Sequence, residues 1–500
     1  MSYRLLPTLA LCLPLLMAFP NDSQAQPATT LAPSAPLSDY AGTYQDAPGT
    51  TLEIVSGHEL FAVQDDAKYR LHPTGPDEFA NAWGQKIPFR RDTHGQISGY
   101  TQNGVFHPRL KPTVSPQSAA LAFPRPAGSP TYRYHPPIHL HDGIPVGDIA
   151  HSDLGLATAN AIATSILDLT YPDVHSVLLF QHGKLVFEEY FYGYSVSRTH
   201  QLRSATKTVV STLAGIAIDR GALHGPSQPV LPLLPYSAYD HPDPRKASIT
   251  VGNLLSMSSG LDCNDHSSTS PGRENVIDET PDWVKATLDL PLIHDPAASA
   301  AYCSGGVAVV GRVTELAVHQ SLPAFAKANL FTPLGIAPSD RSWNYNLTSA
   351  DREYSQIHLR PRDMLKLGIL FANHGRWHGR QILSQAWVAD ATAEHSHVEN
   401  VSYGYFWWRP WLNAETPSGP VKIDLVAAQG NGGQKIYLVP QFDLVAVFTG
   451  GAYNVDGTPP NAIMAKIILP ALITHHPSNS VPSPSVPRLT PSPAAPNSPQ

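Results

Sequence analysis

Hydrophobic and polar positions change their spacing along this chain, and the changes divide it. Between residues 38 and 124 the apolar residues come in short runs, at 51–55, 59–63 and 86–90. Gly57-His58, Pro73-Thr74-Gly75-Pro76 and Thr93-His94-Gly95 break those runs. Short runs between Gly/Pro turns, with no helical period, predict a small all-β accessory domain, an antiparallel barrel or sandwich. From 151 to 475 strand-like and helix-like patterns alternate. Runs at 176–180 and 184–191 flank Gln181-His182-Gly183 and predict a hairpin. Val209, Leu213, Ile216 and Ala217 share one face of a helix predicted over 205–220, and Gly221 stands where a left-handed C-cap is needed. A Pro-punctuated helical middle follows, then strands predicted at 403–408, 435–439 and 444–449. Two strands before the helical middle and three after it predict one antiparallel sheet flanked by helices, an α+β fold.

The remaining stretches read differently. Residues 1–25 carry Arg4, an apolar run over 5–19 and small residues at Ser23 and Ala25, and predict a signal peptide. The run is short for a span of about 20 residues, so no stable membrane span is expected once it is removed. Leu9-Ala10-Leu11 before Cys12 makes a poor lipoprotein signal. The chain is therefore expected outside the cytoplasm, periplasmic or extracellular. Residues 26–37 are rich in Pro, Ala and Thr, 125–150 read as a Pro/His/Gly linker, and 476–500 form a Pro/Ser-rich tail that cannot bury a core. The 500 residues carry a net charge of −7 and no Lys/Arg cluster, which excludes nucleic acid as a partner. Beyond Cys12, two cysteines remain, Cys263 and Cys303. In an oxidising compartment they form a disulfide, or else they are two buried thiols. His135, His139 and His141 lack metal-ligand spacing and read as loop histidines, so neither metal nor cofactor is expected.

Three short motifs carry chemistry. Ser204-Ala205-Thr206-Lys207 places a hydroxyl and an amine on one face at a helix start. The amine can take the serine's proton if burial lowers its pKa, and the alternative is a capping serine with a surface lysine. Tyr302-Cys303-Ser304 can supply a phenol as proton shuttle, against the plainer reading of a core tyrosine. Ala428-Gln429-Gly430-Asn431-Gly432-Gly433-Gln434 opens a strand, either as a hairpin turn or as a Gly-rich edge that lets a substrate carbonyl approach backbone N–H groups.

Taken in order, these motifs resemble the β-lactamase-related serine hydrolases. Leu202 to Lys207, Leu254 to Asp262 and Tyr302 to Gly306 carry the likeness, with Tyr403 to Trp408 and Gly432-Gly433-Gln434. They are most similar to the branch around 6-aminohexanoate-dimer hydrolase. The resemblance implies a β-lactamase/DD-peptidase-like fold over 151–475 and acyl-enzyme chemistry on a small-molecule ester or amide. It makes Ser204 the nucleophile, Lys207 the base and Tyr302 the proton relay. The Ser204 and Asn431 N–H groups are the expected oxyanion donors, with Gly430, Ser304 and Trp407 in the substrate-binding set. Tyr405, Trp407 and Trp408 either wall an acyl pocket or are plain core packing. The stretch from Tyr40-Ala41-Gly42-Thr43-Tyr44 loosely resembles lipocalin-like accessory domains attached to some of these hydrolases. Penicillin-recognising members carry a cation at the start of the third motif, where this chain has Ala428. That departure favours esters and small amides over the alternatives, a β-lactamase or D-Ala-D-Ala carboxypeptidase. A non-catalytic binding protein needs none of the three reactive groups. A Ser-His-Asp esterase lacks its Gly-x-Ser-x-Gly elbow here.

Overall fold

The computed structural model of the chain describes residues 33, 35–47, 49–64, 67–82, 84–343, 357–454 and 458–475. The expected signal segment and the Pro/Ser-rich tail lie outside the described residues. Eight strands close the N-terminal barrel: β1 Gly42–Gln45, β2 Thr51–Ser56, β3 Leu60–Gln64, β4 Ala67–Gly75, β5 Glu78–Ala80, β6 Lys86–Arg91, β7 Ile97–Gln102 and β8 Val105–Lys111. Each pairs antiparallel with the next, and β8 returns to β1. Tyr40, Tyr44, Ile54, Leu60, Leu71, Phe79, Phe89 and Tyr100 fill the interior, with Tyr40 edge-on to Phe79 at 5.0 Å. A barrel of this strand number is just wide enough to be filled by side chains.

The second unit is built on an eight-stranded sheet. Its strands are β9 Val174–Gln181, β10 Lys184–Tyr190, β11 Ser396–Val398, β12 Val401–Tyr403, β13 Trp408–Arg409, β14 Val426–Gly430, β15 Gln434–Val439 and β16 Leu444–Gly450, ordered β10-β9-β16-β15-β14-β13-β12-β11. All neighbouring pairs are antiparallel. The expected hairpin and the late strands expected at 435–439 and 444–449 are present. Helix α1 (Gly155–Leu167) precedes the sheet, and α2 (Thr206–Asp219) is buried from Thr206 to Ala217, which its nearly all-apolar and small sequence permits. Gly221 closes α2 at φ +72°, with the Ala222 N–H donating to the Ala217 carbonyl at 2.9 Å. Helix α3 (Ser304–Val318) packs against α2. Helix α4 (Pro361–Ala372) lies so close to the sheet that a Cβ on Gly368 would come within 2.5 Å of Val445.

Two expectations change. Residues 403–408 are not one strand, because Phe406 turns the chain at φ +59° between β12 and β13. The Phe406 N–H donates to the Leu255 carbonyl at 2.9 Å, and its own carbonyl accepts from Thr208 Oγ1 at 3.1 Å. The stretch 125–150 is no loose linker. Buried Arg362 grips it through the Ile138 carbonyl at 2.7 Å and Asp142 at 3.2 Å, while also pairing with Glu188 at 2.6 Å. The barrel is likewise joined to the sheet unit. Lys68 of β4, fully buried, meets Asp173 at 2.6 Å and the Leu121 carbonyl at 2.9 Å.

Candidate active site

Ser204 owes its place to a short strand pairing and a tight turn. The Leu202 N–H donates to the Ile357 carbonyl at 2.8 Å, which fixes the chain just ahead of the turn. Arg203 then takes φ +50°, residues Arg203–Ala205 form a single 3-10 turn, and α2 begins at Thr206. Lys207 follows one turn later, 3 % exposed, and its Nζ donates to Ser204 Oγ at 3.1 Å. This is the helical i, i+3 neighbourhood that the motif implied.

Tyr302 arrives from the residues just before α3. It is buried, Lys207 Nζ lies 4.9 Å from its ring centroid, and its phenol is electrostatically coupled to Lys207 and Ser204. A disulfide between Cys263 and Cys303 staples the 261–270 loop to this motif. The pairing resolves the two alternatives left by the cysteine count. Cys303 Sγ also accepts the Gly306 N–H at 3.3 Å and so caps α3. Ser304 is the first residue of that helix, and its N–H donates to Asp265 at 2.8 Å. It lines a small cavity behind Lys207 with Glu274, Asp278 and Trp283.

The Gly-rich segment forms the turn from β14 to β15, with Gly430 paired to Gln434. Gly432 and Gly433 stand at φ +87° and +94°, which the turn requires. Gly430 must also lack a side chain, because a Cβ there would overlap the Leu202 carbonyl and press on the Ala205 nitrogen at 3.2 Å. The strand end therefore lies directly against the Ser204 turn. Asn431 is held by its side chain, which donates to Asn454 Oδ1 at 2.7 Å and accepts the Asn454 N–H at 3.1 Å. Gln434 Nε2 donates to the Asn431 carbonyl at 3.1 Å.

The electrostatics correct one expectation. Burial pulls the Lys207 amine down, but Tyr302, Glu274 and Asp265 outweigh it, and the group ends above its ordinary value. Lys207 is thus held as an ammonium rather than freed as a neutral amine. Burial raises the Tyr302 phenol, opposed by Lys207 and the Ser204 contact. Burial and the neighbouring Glu274 push Asp265 up to about 6, opposed by Lys207 and the Ser304 N–H.

Trp407 is corrected as well. It is fully buried and packs on Phe371 at 4.6 Å, so it belongs to the core and not to a substrate pocket. The next residue, Trp408, stacks on Tyr302 at 5.6 Å instead. His266 stacks on the same ring at 5.2 Å, and its Nδ1 pairs with Glu399 in the β11–β12 turn. Asp265, Glu274, His266 and Glu399 escaped sequence reasoning. Cys263-Asn264-Asp265-His266 contains the one available hint, a polar loop beside a cysteine that pairs next to Tyr302. Among the described residues no three His, Cys, Asp or Glu side chains are grouped to hold a metal.

A family model described as Beta-lactamase matches residues 174–450. The chain is 26 % identical over 324 residues to a 6-aminohexanoate-dimer hydrolase of Paenarthrobacter ureafaciens, which covers 58 % of this chain and 76 % of that protein. It is 31 % identical over 139 residues to penicillin-binding protein 4 of Amycolatopsis lactamdurans, covering 28 % of this chain and 35 % of that one. Among solved structures it is similar to an octameric penicillin-binding protein homologue from Pyrococcus abyssi, with a TM-score of 0.49 and 15 % identity over 65 % of this chain and 79 % of that one.

Proposed function

The chain belongs to the Beta-lactamase family, and from that membership we propose that it is an exported serine hydrolase cleaving ester or amide bonds through an acyl-enzyme on Ser204. The observation that carries the proposal is the convergence of Ser204, Lys207 and Tyr302 from two distant segments: Lys207 Nζ donates to Ser204 Oγ at 3.1 Å and lies 4.9 Å from the Tyr302 ring centroid. Ser204 Oγ attacks the substrate carbonyl and its proton passes to the Lys207–Tyr302 pair. That pair is competent once it has lost one proton, with the ammonium charge of Lys207 favouring a Tyr302 phenolate. The collapsing tetrahedral intermediate takes the proton back on its leaving group, and water repeats the cycle on the acyl-enzyme. We assign the binding of negative charge on the carbonyl oxygen to the N–H groups of Ser204 and Asn431, an assignment supported by the close packing of Gly430 on the Leu202–Ala205 turn.

The substrate preference follows from the third motif. Ala428-Gln429-Gly430 offers no cation for a substrate carboxylate, which supports esters and small amides over penicillins. The Cys263–Cys303 disulfide supports an oxidising setting and hence export. A panel of p-nitrophenyl esters, a p-nitroanilide amide and a chromogenic cephalosporin tests the reading. Ester or amide turnover is expected in the wild type, falling by about 10³-fold or more in Ser204→Ala. Unchanged turnover in that variant, or turnover of the cephalosporin alone, would contradict it.

A further inference from the structure

We propose that the N-terminal barrel is part of the catalytic unit, with Tyr69 acting as a positioning residue for the nucleophile turn. The inference rests on Ser204 being the nucleophile. Arg203, immediately before Ser204, holds φ +50°, a conformation that a non-glycine residue keeps only when its surroundings fix it. The barrel supplies part of that fixing. Arg203 Nη2 donates to Tyr69 Oη of β4 at 2.8 Å, across 134 residues of chain. The guanidinium also lies over the Tyr453 ring at 5.0 Å, and the Tyr69 and Tyr453 rings are 5.6 Å apart. One cluster thus joins the barrel, the nucleophile turn and the segment after β16.

The same cluster reaches the Gly-rich turn. Tyr453 packs so tightly on Gly432 that a Cβ there would sit 2.5 Å from its ring. The Ala452 N–H donates to the Gly432 carbonyl at 3.1 Å. Tyr69 therefore braces the Ser204 turn and, through Tyr453, the Gly-rich turn, the two pieces of backbone proposed to supply the oxyanion donors. The strand that carries Tyr69 is itself anchored. Lys68, the residue before it, is buried against Asp173 at 2.6 Å and between the rings of Phe61 and Tyr192 at 4.4 and 4.1 Å. Side chains of successive strand residues point to opposite faces. Here both faces of β4 at this point are gripped by the sheet unit, so the strand cannot shift without moving Arg203.

Small displacements of reacting groups are costly, since a misplacement of about 1 Å can cost about 10²-fold in rate. Tyr69→Phe keeps the ring and deletes only the bond to Arg203. It is expected to lower kcat for a p-nitrophenyl ester, and the rate of Ser204 labelling by a fluorophosphonate, by about tenfold, leaving KM and the melting temperature unchanged. Tyr69→Leu is expected to lose more of both rates. Wild-type rates in Tyr69→Phe, or a lowered melting temperature with wild-type kcat, would overturn the positioning role. A wild-type protein that the fluorophosphonate does not label would instead remove the nucleophile assignment beneath it.

Discussion

Single residues decide the protonation state of this site. Ser204, Lys207 and Tyr302 were legible because each sits in a short motif with its own chemical logic. The charge on Lys207 was not legible. The apolar sequence of α2 announces burial, which lowers an amine's pKa, but nothing local announces that Asp265 and Glu274 fold beside it. Those two anions stabilise the fully protonated Lys207–Tyr302 pair. In the proposed mechanism the pair works only after losing a proton, so kcat/KM should rise with pH and level off on the alkaline side. Asp265→Asn removes one anion, weakens proton binding by the pair and should move that rising limb to lower pH. Asparagine retains one oxygen to accept an N–H bond now made to Asp265. A limb that stays in place or moves up in a pH series of kcat/KM would show that Asp265 does not act on the pair.

Elements were read well where their signals are local. The hairpin of β9 and β10, the α2 helix and its Gly221 cap all follow from neighbouring residues. The bend at Phe406 was missed because it is dictated by Leu255 and Thr208, far away in the chain. Barrel closure, rather than a sandwich, depends on β1 meeting β8, a pairing no short window contains. The β14–β15 turn illustrates the mixed case. Its glycines marked a turn, but only packing shows that Gly430 must admit the Leu202 carbonyl. Gly430→Ala should force the strand end away from the nucleophile turn and lower kcat by about 10²-fold, in line with loss of an oxyanion donor. Steady-state kinetics with kcat preserved would separate that turn from catalysis.

At the scale of the molecule, two units share buried contacts. Val55, Phe61 and Val63 of the barrel belong to the same apolar core as the sheet. The Lys68–Asp173 pair adds a buried ionic lock. Lys68→Met leaves Asp173 buried without its close cation, with Arg70 4.0 Å away. It should destabilise the protein by about 3–5 kcal/mol, read as a fall in the urea midpoint. Lys68→Met with Asp173→Leu should recover much of that loss, and an unchanged midpoint in the single variant would show the pair to be energetically idle. The whole arrangement has meaning only if Ser204 forms a covalent bond with substrate. Intact-mass analysis after exposure to a fluorophosphonate, followed by peptide mapping, measures this directly. One adduct per chain on the peptide containing Ser204, absent in Ser204→Ala, is the predicted result. An unmodified folded protein, or an adduct on another residue, would contradict it.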